Sequence, residues 1–462
     1  MAPKFGTSGL RGLVVDLTAE LVRDYVQAFI AACPTGGWVY VGWDLRPSSP
    51  EIARAVMVAI RGAGLGAVAC GAVPTPALAL ASMQAGAAAI MVTGSHIPAD
   101  RNGLKFYLPT GEISKADEAA IVAALGAGPG RLSGALETDD QALARYGARY
   151  QNAFGPTALG GQRIGVYQHS SVARDVMADV LQGLGAETVA LARSDVFIPV
   201  DTEAVDPGTR TQLAAWAKAH GLDAIVSTDG DADRPMVADA TGRIVPGDVL
   251  GPLAARALGA RHIVTPVSSN SLVDQMGFDS VVRTKIGSPF VIAAMDAALA
   301  NDATTPIVGY EANGGFLLGF AAAAPAGSLG PLMTRDSLLP IVAPLVAACS
   351  LGQGLAQMVA DLPPRFTAAD RLQGIASDRS AAFLAELSGD RAARAAFFEA
   401  LPPEQALDQT DGLRVTFAGG AVVHLRPSGN APEFRCYAEA ETAEAAWELV
   451  TLHLDRLNQR LT

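Results

Sequence analysis

The sequence predicts an α/β protein with mixed, mostly parallel sheets, followed by a smaller α+β domain. Three times along the chain, a short apolar run ends in a polar, Gly-rich loop, and a helix-like segment lies nearby. This alternation is typical of βαβ units. After about residue 360 the pattern changes. Because 462 residues are too many for one hydrophobic core, we expect three or four domains.

The first repeat lies in the first third of the chain. The apolar run WVYVGWDLRP (38–47) leads into a helical segment. There Ser48 and Glu51 resemble a capping box, and Pro50 suits the first turn. The run AGAAAIMV (85–92) has neither charge nor proline, which predicts a buried strand before the next polar loop.

The second and third repeats follow the same order. RIGVYQ (163–168) precedes a helix predicted from about Ser171, and LDAIVST (222–228) ends in a second polar loop. HIVTPV (262–267) and TPIVGY (305–310) are the strand-like runs of the third repeat. Parallel sheets place ligand loops at the carboxyl ends of their strands. Three polar loops are predicted at such ends, namely 93–96, 229–234 and 311–315.

The C-terminal part has a different pattern. DLPPRF marks a break, and residues 365–410 are predicted to be helix and loop. LRVTFAGGAVVHLRPSGNAPEFRCYAEAE then contains three strand-like runs, and TAEAAWELVTLHLDRLNQRL closes as an amphipathic helix. This order predicts a small α+β domain.

Composition excludes several classes of partner. The net charge of −12 argues against nucleic acid or an anionic membrane. Four scattered cysteines without a CxxC pair fit reduced, mostly buried thiols in a cytoplasmic protein, and the first residues lack the apolar core of a signal peptide. The uncharged stretch 337–360 is a candidate membrane span, but its prolines and glycines favour two packed helices.

The loop DGDADRP has the most specific chemistry. Asp229, Asp231 and Asp233 alternate, so an irregular extended loop can direct three carboxylates to one point. Such oxygen ligands suit Mg²⁺, which often takes a phosphate oxygen as well. An EF-hand is excluded because its sixth and twelfth positions hold Arg234 and Ala240. The alternative is a solvated acidic turn, in which the crowded carboxylates would repel one another.

Ser95 follows the first buried strand. It does not fit the hydrolase motif G-x-S-x-G, because Thr93 and Ile97 stand where glycines belong. In isolation, a serine here would only shape a turn. Lys105 is placed to neutralise a phosphate and His96 to donate to one, which indicates a serine that carries phosphate.

Two further loops carry weaker signals. RPSGN offers a set of hydrogen-bond donors for a bound phosphate, namely Arg426, Ser428, Gly429 and Asn430. In EANGG, Glu311 and Asn313 are placed to bracket sugar hydroxyls. Each of these motifs also occurs as an ordinary turn.

In this order, the four loops resemble those of the α-D-phosphohexomutase family, the phosphomannomutase and phosphoglucomutase enzymes, over the whole chain. TGSHIP…NGLK is similar to the phosphoserine loop, DGDADR to the metal loop, YEANGG to the sugar loop and RPSGN to the phosphate-binding loop. FGTSGLRG, which contains Arg11, resembles the N-terminal phosphate-contacting segment. The resemblance implies three related α/β domains and a smaller fourth around a central cleft, at 1–142, 143–244, 245–360 and 361–462.

The resemblance also implies a mechanism. Phosphorylated Ser95 passes its phosphoryl group to a hexose 1- or 6-phosphate, and the resulting hexose 1,6-bisphosphate turns round and returns its other phosphate. One Mg²⁺, bound by Ser95 and the three aspartates of DGDADR, offsets the charge together with Lys105. Arg234 and His96 support the same region. The expected substrate contacts are Arg11, Lys285, Glu311, Asn313, Arg426, Ser428, Gly429 and Asn430.

Two departures from the family's pattern affect these expectations. Ile97 stands where the serine loop usually has Asn, and Gly315 stands where many relatives have a histidine suspected of proton transfer. The general acid and base would then have to be found among Glu311, Lys105 and His96.

The expected reaction is that of a phosphomannomutase that also accepts glucose phosphates, because the expected carboxylate contact is with C3 and C4 hydroxyls that both sugars share. A phosphoglucosamine or N-acetylglucosamine phosphate mutase is the alternative, since the EANG loop is similar to that of eukaryotic N-acetylglucosamine phosphate mutases. Further alternatives are a catalytically silent phosphosugar-binding protein and a metal-dependent phosphatase. The phosphatase is disfavoured because a closed cleft excludes water from the phosphoserine.

Overall fold

The computed structural model describes residues 3–6, 9–126, 133–427 and 433–461. The chain divides into two compact units, and each unit has its own hydrophobic core. The larger unit comprises Met1–Val264 and Gly287–Val359, and the smaller comprises Thr265–Ile286 and Ala360–Thr462.

The first part of the larger unit is an eight-stranded sheet with helices packed on it. Its strands are β1 (Lys4–Phe5), β2 (Leu10–Leu13), β3 (Trp38–Trp43), β4 (Gly66–Ala72), β5 (Ala88–Val92), β6 (Arg101–Leu108), β7 (Gly111–Glu112) and β8 (Leu136–Thr138). The helices are α1 (Ala19–Ala32), α2 (Ser49–Gly62), α3 (Thr75–Gln84) and α4 (Lys115–Ala123), with a 3-10 helix at Val14–Asp16. The strand order is β1-β2-β6-β5-β3-β4-β8, with β7 paired to β6. Strands β3, β4, β5 and β8 are parallel, whereas β6 runs antiparallel to β5.

A second sheet follows in the same unit, in the order β10-β9-β11-β12-β13. Its strands are β9 (Arg163–His169), β10 (Glu187–Arg193), β11 (Ala224–Thr228), β12 (Pro235–Asp239) and β13 (Ile244–Val245). The helices of this part are α5 (Ala142–Phe154), α6 (Arg174–Gly183) and α7 (Pro207–His220). Strands β9, β10 and β11 are parallel, and β11 turns back into antiparallel β12.

A third sheet shows the same arrangement. The elements are α8 (Gly247–Ala257), β14 (His262–Pro266), a 3-10 helix (Ser271–Gln275), β15 (Ser280–Thr284), α9 (Ser288–Asn301), β16 (Ile307–Tyr310), β17 (Phe316–Leu318), β18 (Ala322–Ala324), β19 (Gly327–Leu329), β20 (Leu332–Asp336), α10 (Leu338–Ser350) and α11 (Leu355–Ala360). Strands β14 and β16 are parallel, and β16, β17 and β20 are antiparallel neighbours. Each of the three polar loops therefore joins a buried parallel strand to an antiparallel partner.

The smaller unit contains a five-stranded antiparallel sheet in the order β21-β25-β24-β23-β22. Its elements are β21 (Phe366–Gln373), α12 (Ser377–Gly389), α13 (Arg391–Phe397), β22 (Glu404–Asp408), β23 (Leu413–Phe417), β24 (Val422–Pro427), β25 (Glu433–Ala440) and α14 (Ala443–Leu461). The apolar face of α14, including Val450 and Leu457, packs into the core of this sheet. The three predicted strands and the closing helix are confirmed.

Two local predictions were wrong. Residues 365–410 contain β21 and β22, which lie at the two edges of the sheet and expose most of their side chains. Backbone hydrogen bonds hold such strands, so apolar residues are not needed to define them. Ser48 has a helical backbone conformation and makes no capping bond; its Oγ instead accepts from Asn102 Nδ2 at 2.8 Å. Pro50 does lie in the first turn of α2.

Other expectations were confirmed, with small shifts. The uncharged stretch forms α10 and α11 with a turn between them, and no helix in the described residues is long and apolar enough to cross a membrane. The helix predicted from about Ser171 begins at Arg174. All four cysteines are free thiols, and only Cys349 is not fully buried.

Candidate active site

The serine loop is held in an unusual backbone conformation. Strand β5 is buried along its whole length and ends at Val92. Thr93 Oγ1 then accepts the backbone N–H of Ser95 at 2.8 Å, and Ser95 itself has a left-handed φ of 54°. A Cβ on Gly94 would lie 2.6 Å from Arg46 Cζ, so glycine is required there. Strain of this kind at a buried serine is typical of functional sites.

Arg46 fixes the path of this loop. Its guanidinium donates to four carbonyl oxygens, those of Ser95 (2.8 Å), Ile97 (2.5 Å), Pro98 (2.7 Å) and Arg101 (2.9 Å). Its Nε also donates to Asp44 Oδ2 at 3.1 Å. Sequence reasoning missed both residues, although the signal was present. Asp44 directly follows the carboxyl end of β3, a parallel neighbour of β5, where ligand loops are expected.

Replacing Arg46 by alanine is expected to reduce the free energy of unfolding by about 3–5 kcal/mol, because the buried Asp44 loses its ionic partner. Urea unfolding measures this loss. Arg23→Ala is the control, since Arg23 forms a partly exposed pair with Asp24 and should cost less than about 1 kcal/mol. Equal, small losses for the two variants would contradict the role of Arg46.

The three aspartates lie in the turn of the β11–β12 hairpin. Thr228 and Pro235 form its last register pair, and one oxygen of each aspartate lies within 4.8 Å of the other two. Ser95 Oγ donates to Asp229 Oδ2 at 2.5 Å. The structure therefore brings the serine loop and the metal loop together, and both are buried.

Lys105 reaches this cluster from β6, where it is paired with Met91 of β5. Its Nζ donates to Asp231 Oδ2 and to Asp233 Oδ2, both at 2.6 Å. Thr75, at the start of α3, donates from Oγ1 to Asp231 Oδ2 at 2.5 Å. These hydrogen bonds all end at the Oδ2 atoms of Asp231 and Asp233, so the Oδ1 atoms of the same two residues remain available to another partner.

The remaining oxygens fit a cation. Asp231 Oδ1 and Asp233 Oδ1 are buried and accept no hydrogen bond from the described part of the chain. Burial, followed by repulsion from Asp231 and Asp233, raises the pKa of Asp229 well above its ordinary value. A divalent cation with a preference for oxygen ligands would both coordinate these atoms and remove the repulsion. The cluster therefore has the chemistry of a metal site.

The other two aspartates are held in their charged form. Burial by itself would raise the pKa of Asp231 and of Asp233. Lys105 outweighs this effect at Asp231, and Arg335 does so at Asp233, so both pKa values lie below the ordinary value. The basic side chains thus keep two carboxylates ionised in a buried site.

A cluster of nitrogen groups lies beside the serine. Arg234 Nη1 is 2.9 Å from His96 Nδ1, and that nitrogen is 3.3 Å from Ser95 Oγ. Burial and the Arg234 charge lower the pKa of His96 to about 3, so the imidazole is neutral near pH 7. Arg11 lies on β2, where it pairs with Gly103 of β6, and burial and the charge of Arg234 lower its pKa to about 10. Guanidinium groups in such a cluster suit a phosphate.

The sugar loop is the turn of the β16–β17 hairpin. Glu311 N–H donates to the carbonyl of Gly315 at 3.1 Å, and Asn313 Oδ1 accepts the Gly315 N–H at 3.0 Å. Arg335 on β20 links this loop to the metal loop, with Nη1 3.5 Å from Glu311 Oε2 and Nη2 2.7 Å from Asp233 Oδ2. Sequence reasoning missed Arg335, because nothing in LMTRDS marks it before the strands are paired.

The smaller unit contains the remaining predicted site residues, namely Lys285, Arg426, Ser428, Gly429 and Asn430. Arg426 Nε donates to Asp411 Oδ1 at 2.9 Å, and Asp411 Oδ2 accepts the N–H of Ile286 at 3.0 Å. Asp411 therefore holds Arg426 close to the segment that carries Lys285. Ser428, Gly429 and Asn430 lie outside the described residues.

Four family models match successive parts of the chain. They are phosphoglucomutase/phosphomannomutase alpha/beta/alpha domain I (residues 2–128), domain II (146–242), domain III (246–366) and the C-terminal domain (377–451). The chain belongs to the phosphoglucomutase/phosphomannomutase family, so the resemblance of the four loops is confirmed. It is accordingly an enzyme of the isomerase class, an intramolecular phosphotransferase.

Curated relatives match over their full length. The chain is 46% identical to a phosphomannomutase of Sinorhizobium fredii, with 100% of both chains covered. It is 43% identical to a phosphomannomutase of Salmonella muenchen, covering 99% of this chain and 96% of that one. Identity to a phosphoglucosamine mutase of Thermobifida fusca is 28%, covering 100% of this chain and 99% of the other.

Solved structures share the fold. A phosphoglucomutase/phosphomannomutase family protein of Burkholderia thailandensis has a TM-score of 0.77 at 22% identity, covering 98% of this chain and 96% of that one. An Aspergillus fumigatus N-acetylphosphoglucosamine mutase, in complex with GlcNAc-6P and magnesium, has a TM-score of 0.56 at 13% identity, covering 100% and 96%. The predicted fold class is confirmed.

Proposed function

We propose that this chain interconverts mannose 6-phosphate and mannose 1-phosphate, the phosphomannomutase reaction, and also acts on the corresponding glucose phosphates. The observation that carries the proposal is the 2.5 Å hydrogen bond between Ser95 Oγ and Asp229 Oδ2 in a buried cluster of carboxylates beside Lys105. A hydroxyl in this setting is placed to carry a phosphoryl group next to a divalent cation.

In the proposed cycle, Ser95 begins as a phosphoserine. The bond between Ser95 Oγ and phosphorus breaks while a bond forms from phosphorus to a hydroxyl oxygen of the sugar monophosphate, which loses its proton. The product is a hexose 1,6-bisphosphate, which turns over in the site. Its other phosphoryl group then returns to Ser95 Oγ, and the isomerised monophosphate leaves. A trace of bisphosphate keeps the serine phosphorylated.

The residues around Ser95 would each favour this transfer. The three aspartates and an oxygen at Ser95 would hold Mg²⁺, which would supply Lewis-acid stabilisation of the transferring group. Lys105, already 2.6 Å from two of those aspartates, fixes their geometry and adds positive charge. Arg234 and Arg11 supply further charge on the side of His96. Arg426 and Lys285 are proposed to hold the phosphate that does not react.

Glu311 is our candidate for the group that takes the hydroxyl proton. Lys105 Nζ donates to two carboxylates, and His96 Nδ1 faces the Arg234 guanidinium with a pKa of about 3, so neither suits a general base. Glu311 has a mostly buried carboxylate and shares Arg335 with the metal loop. These contacts support a role for it beside both the sugar and the phosphoryl group.

The identity of the hexose rests on the relatives. Proteins 43–46% identical over the full chain carry the name phosphomannomutase, whereas phosphoglucosamine mutases are near 28%. Mannose and glucose differ only at C2, so a carboxylate that binds the C3 and C4 hydroxyls would accept both. An amino-sugar phosphate is the second candidate, because the EANG loop resembles that of N-acetylglucosamine phosphate mutases.

The test is a kcat/KM panel with Mg²⁺ and a trace of glucose 1,6-bisphosphate, using mannose, glucose, glucosamine and N-acetylglucosamine 1-phosphates. Anion-exchange chromatography follows the 6-phosphates. We expect the highest kcat/KM for mannose 1-phosphate and measurable turnover of glucose 1-phosphate. Intact mass is expected to show one phosphoryl group, which peptide mapping places on Ser95. No turnover of any sugar by phosphorylated enzyme would instead favour a silent phosphosugar-binding protein.

A further inference from the structure

Arg335 lies among three carboxylates of the larger unit. Its Nη2 is 2.7 Å from Asp233 Oδ2, its Nη1 is 3.5 Å from Glu311 Oε2, and its Nε is 3.9 Å from Glu112 Oε1. The side chain is only 3% exposed. One planar guanidinium therefore spans a metal-loop carboxylate and a sugar-loop carboxylate, which a lysine ammonium does not match in geometry.

The backbone around Arg335 is shaped to its side chain. A Cβ on Gly315 would lie 2.7 Å from Arg335 Cδ and 2.9 Å from its Cγ, so the stem of the arginine passes directly over this glycine. The next residue, Phe316, pairs with Asp336 across β17 and β20, which fixes the two elements side by side. Glycine at position 315 thus leaves the space through which Arg335 reaches Glu311.

Glu112 closes the third side of the guanidinium. Its Oε1 accepts from Thr334 Oγ1 at 3.0 Å, and its Oε2 accepts from Ser288 Oγ at 3.0 Å. With both oxygens engaged, Glu112 is a fixed negative group behind Arg335. The arginine is consequently held in place from its own strand and from β7.

We propose that Arg335 is a positioning residue that holds the Glu311 carboxylate in register with Asp233, so that the sugar hydroxyls and the phosphoryl group meet in one geometry. This inference deepens the proposed function and rests on it. Without Arg335, the Glu311 carboxylate loses its fixed direction, so its hydrogen bonds to the sugar hydroxyls weaken most in the transition state, where their geometry matters most.

The decisive experiment measures whether Arg335 and a sugar hydroxyl act through the same contact. kcat/KM is measured for mannose 1-phosphate and its 4-deoxy analogue, and in parallel for the 3-deoxy analogue. In the wild type, loss of the hydroxyl bound by Glu311 is expected to lower kcat/KM about 10- to 100-fold. In Arg335→Ala, kcat on mannose 1-phosphate is expected to fall about 10- to 100-fold. In Arg335→Ala, kcat/KM for that deoxy analogue should be less than about 3-fold below kcat/KM for mannose 1-phosphate.

Chemical rescue gives a second readout. Added guanidinium ion is expected to restore part of the kcat of Arg335→Ala, and Arg335→Lys is expected to retain less activity than the rescued enzyme. Arg394→Ala is the matched control. Arg394 is also a buried arginine paired with a carboxylate, Glu404, at 2.7 Å. Its loss should lower stability while leaving kcat/KM per folded enzyme and the deoxy-substrate ratio unchanged, and guanidinium should not activate it.

Gly315→Ala keeps the test informative if Arg335→Ala folds poorly. The added Cβ should displace Arg335, lower kcat about 10-fold and, as in Arg335→Ala, reduce the loss caused by the deoxy analogue. Where Arg335→Ala folds, the same Cβ should cost little in that variant, because the space is open. The inference is overturned if the deoxy-substrate ratio of the active wild type is unchanged in Arg335→Ala or in Gly315→Ala, or if the two substitutions are additive. Inactivity of the wild type on every sugar phosphate would instead overturn the proposed function itself.

Discussion

Replacing Ser95 by alanine is expected to lower mutase kcat by at least about 10⁴-fold, because it removes the hydroxyl that is proposed to carry the phosphoryl group. Ser95 Oγ is the hydroxyl that donates to Asp229 Oδ2, inside a cluster where both side chains have no solvent exposure. The variant should also take up no phosphoryl group from glucose 1,6-bisphosphate. Coupled kinetics and intact-mass analysis measure the two effects.

Two further variants separate chemistry from folding. Ser95→Gly removes the same hydroxyl, but glycine adopts the left-handed φ of 54° more readily than alanine, so this variant should be folded and equally inactive. Ser82→Ala is the matched control: Ser82 is also fully buried, and its Oγ donates to the nearby Ala79 carbonyl. It should keep near-normal kcat. Phosphorylation and turnover that survive in Ser95→Gly would rule out the phosphoserine mechanism.

Replacing Lys105 by methionine is expected to have the second largest effect. It removes the ammonium that lies 2.6 Å from both Asp231 Oδ2 and Asp233 Oδ2 in a buried site. Without metal, the free energy of unfolding should fall by about 3–5 kcal/mol, because two buried carboxylates lose a partner. With Mg²⁺ and substrate, kcat should fall about 10²- to 10³-fold, since a charge that stabilises the transferring phosphoryl group is absent.

Metal ions provide the discriminating measurement for Lys105. A divalent cation replaces part of the missing charge, so Mg²⁺ should raise the Tm of Lys105→Met more than that of the wild type. Lys218→Met is the control: Lys218 is an exposed residue of α7 and should change neither Tm nor kcat appreciably. If Lys105→Met were as stable without metal as the wild type, the ion pairs with the two aspartates would contribute nothing.

The strands and loops of the larger unit could be predicted because the apolar run of each strand and the polar residues after it indicate the same boundary. The run ending at Val92 is apolar throughout, and the structure buries every residue of β5. Polar loops after β5, β11 and β16 lie at the carboxyl ends of parallel strands, where sheets of this kind bind ligands. The edge strands β21 and β22 were missed for the opposite reason, because their exposed side chains give no apolar pattern.

The site was predictable only in part. Asp229, Asp231 and Asp233 stand two residues apart, so their common function is visible in the sequence. Their partners come from distant positions, such as Thr75, whose Oγ1 lies 2.5 Å from Asp231 Oδ2 across 156 residues. Arg335 likewise reaches Asp233 from another strand. No spacing rule connects such residues, and Gly315 acquires its meaning only from the arginine that passes over it.

The local sequence is sufficient to predict the alternation of strands and helices, the strand ends at which polar loops occur, and the residue types in each loop. These properties depend on neighbours within a few residues, which share hydrophobic periodicity and turn chemistry. Contacts between distant residues set which carboxylate oxygens accept hydrogen bonds, which could coordinate a cation, and which arginine joins the sugar loop to the metal loop. The reason is physical: charge pairing inside a protein depends on distance and burial, and both are set when separate strands are brought side by side.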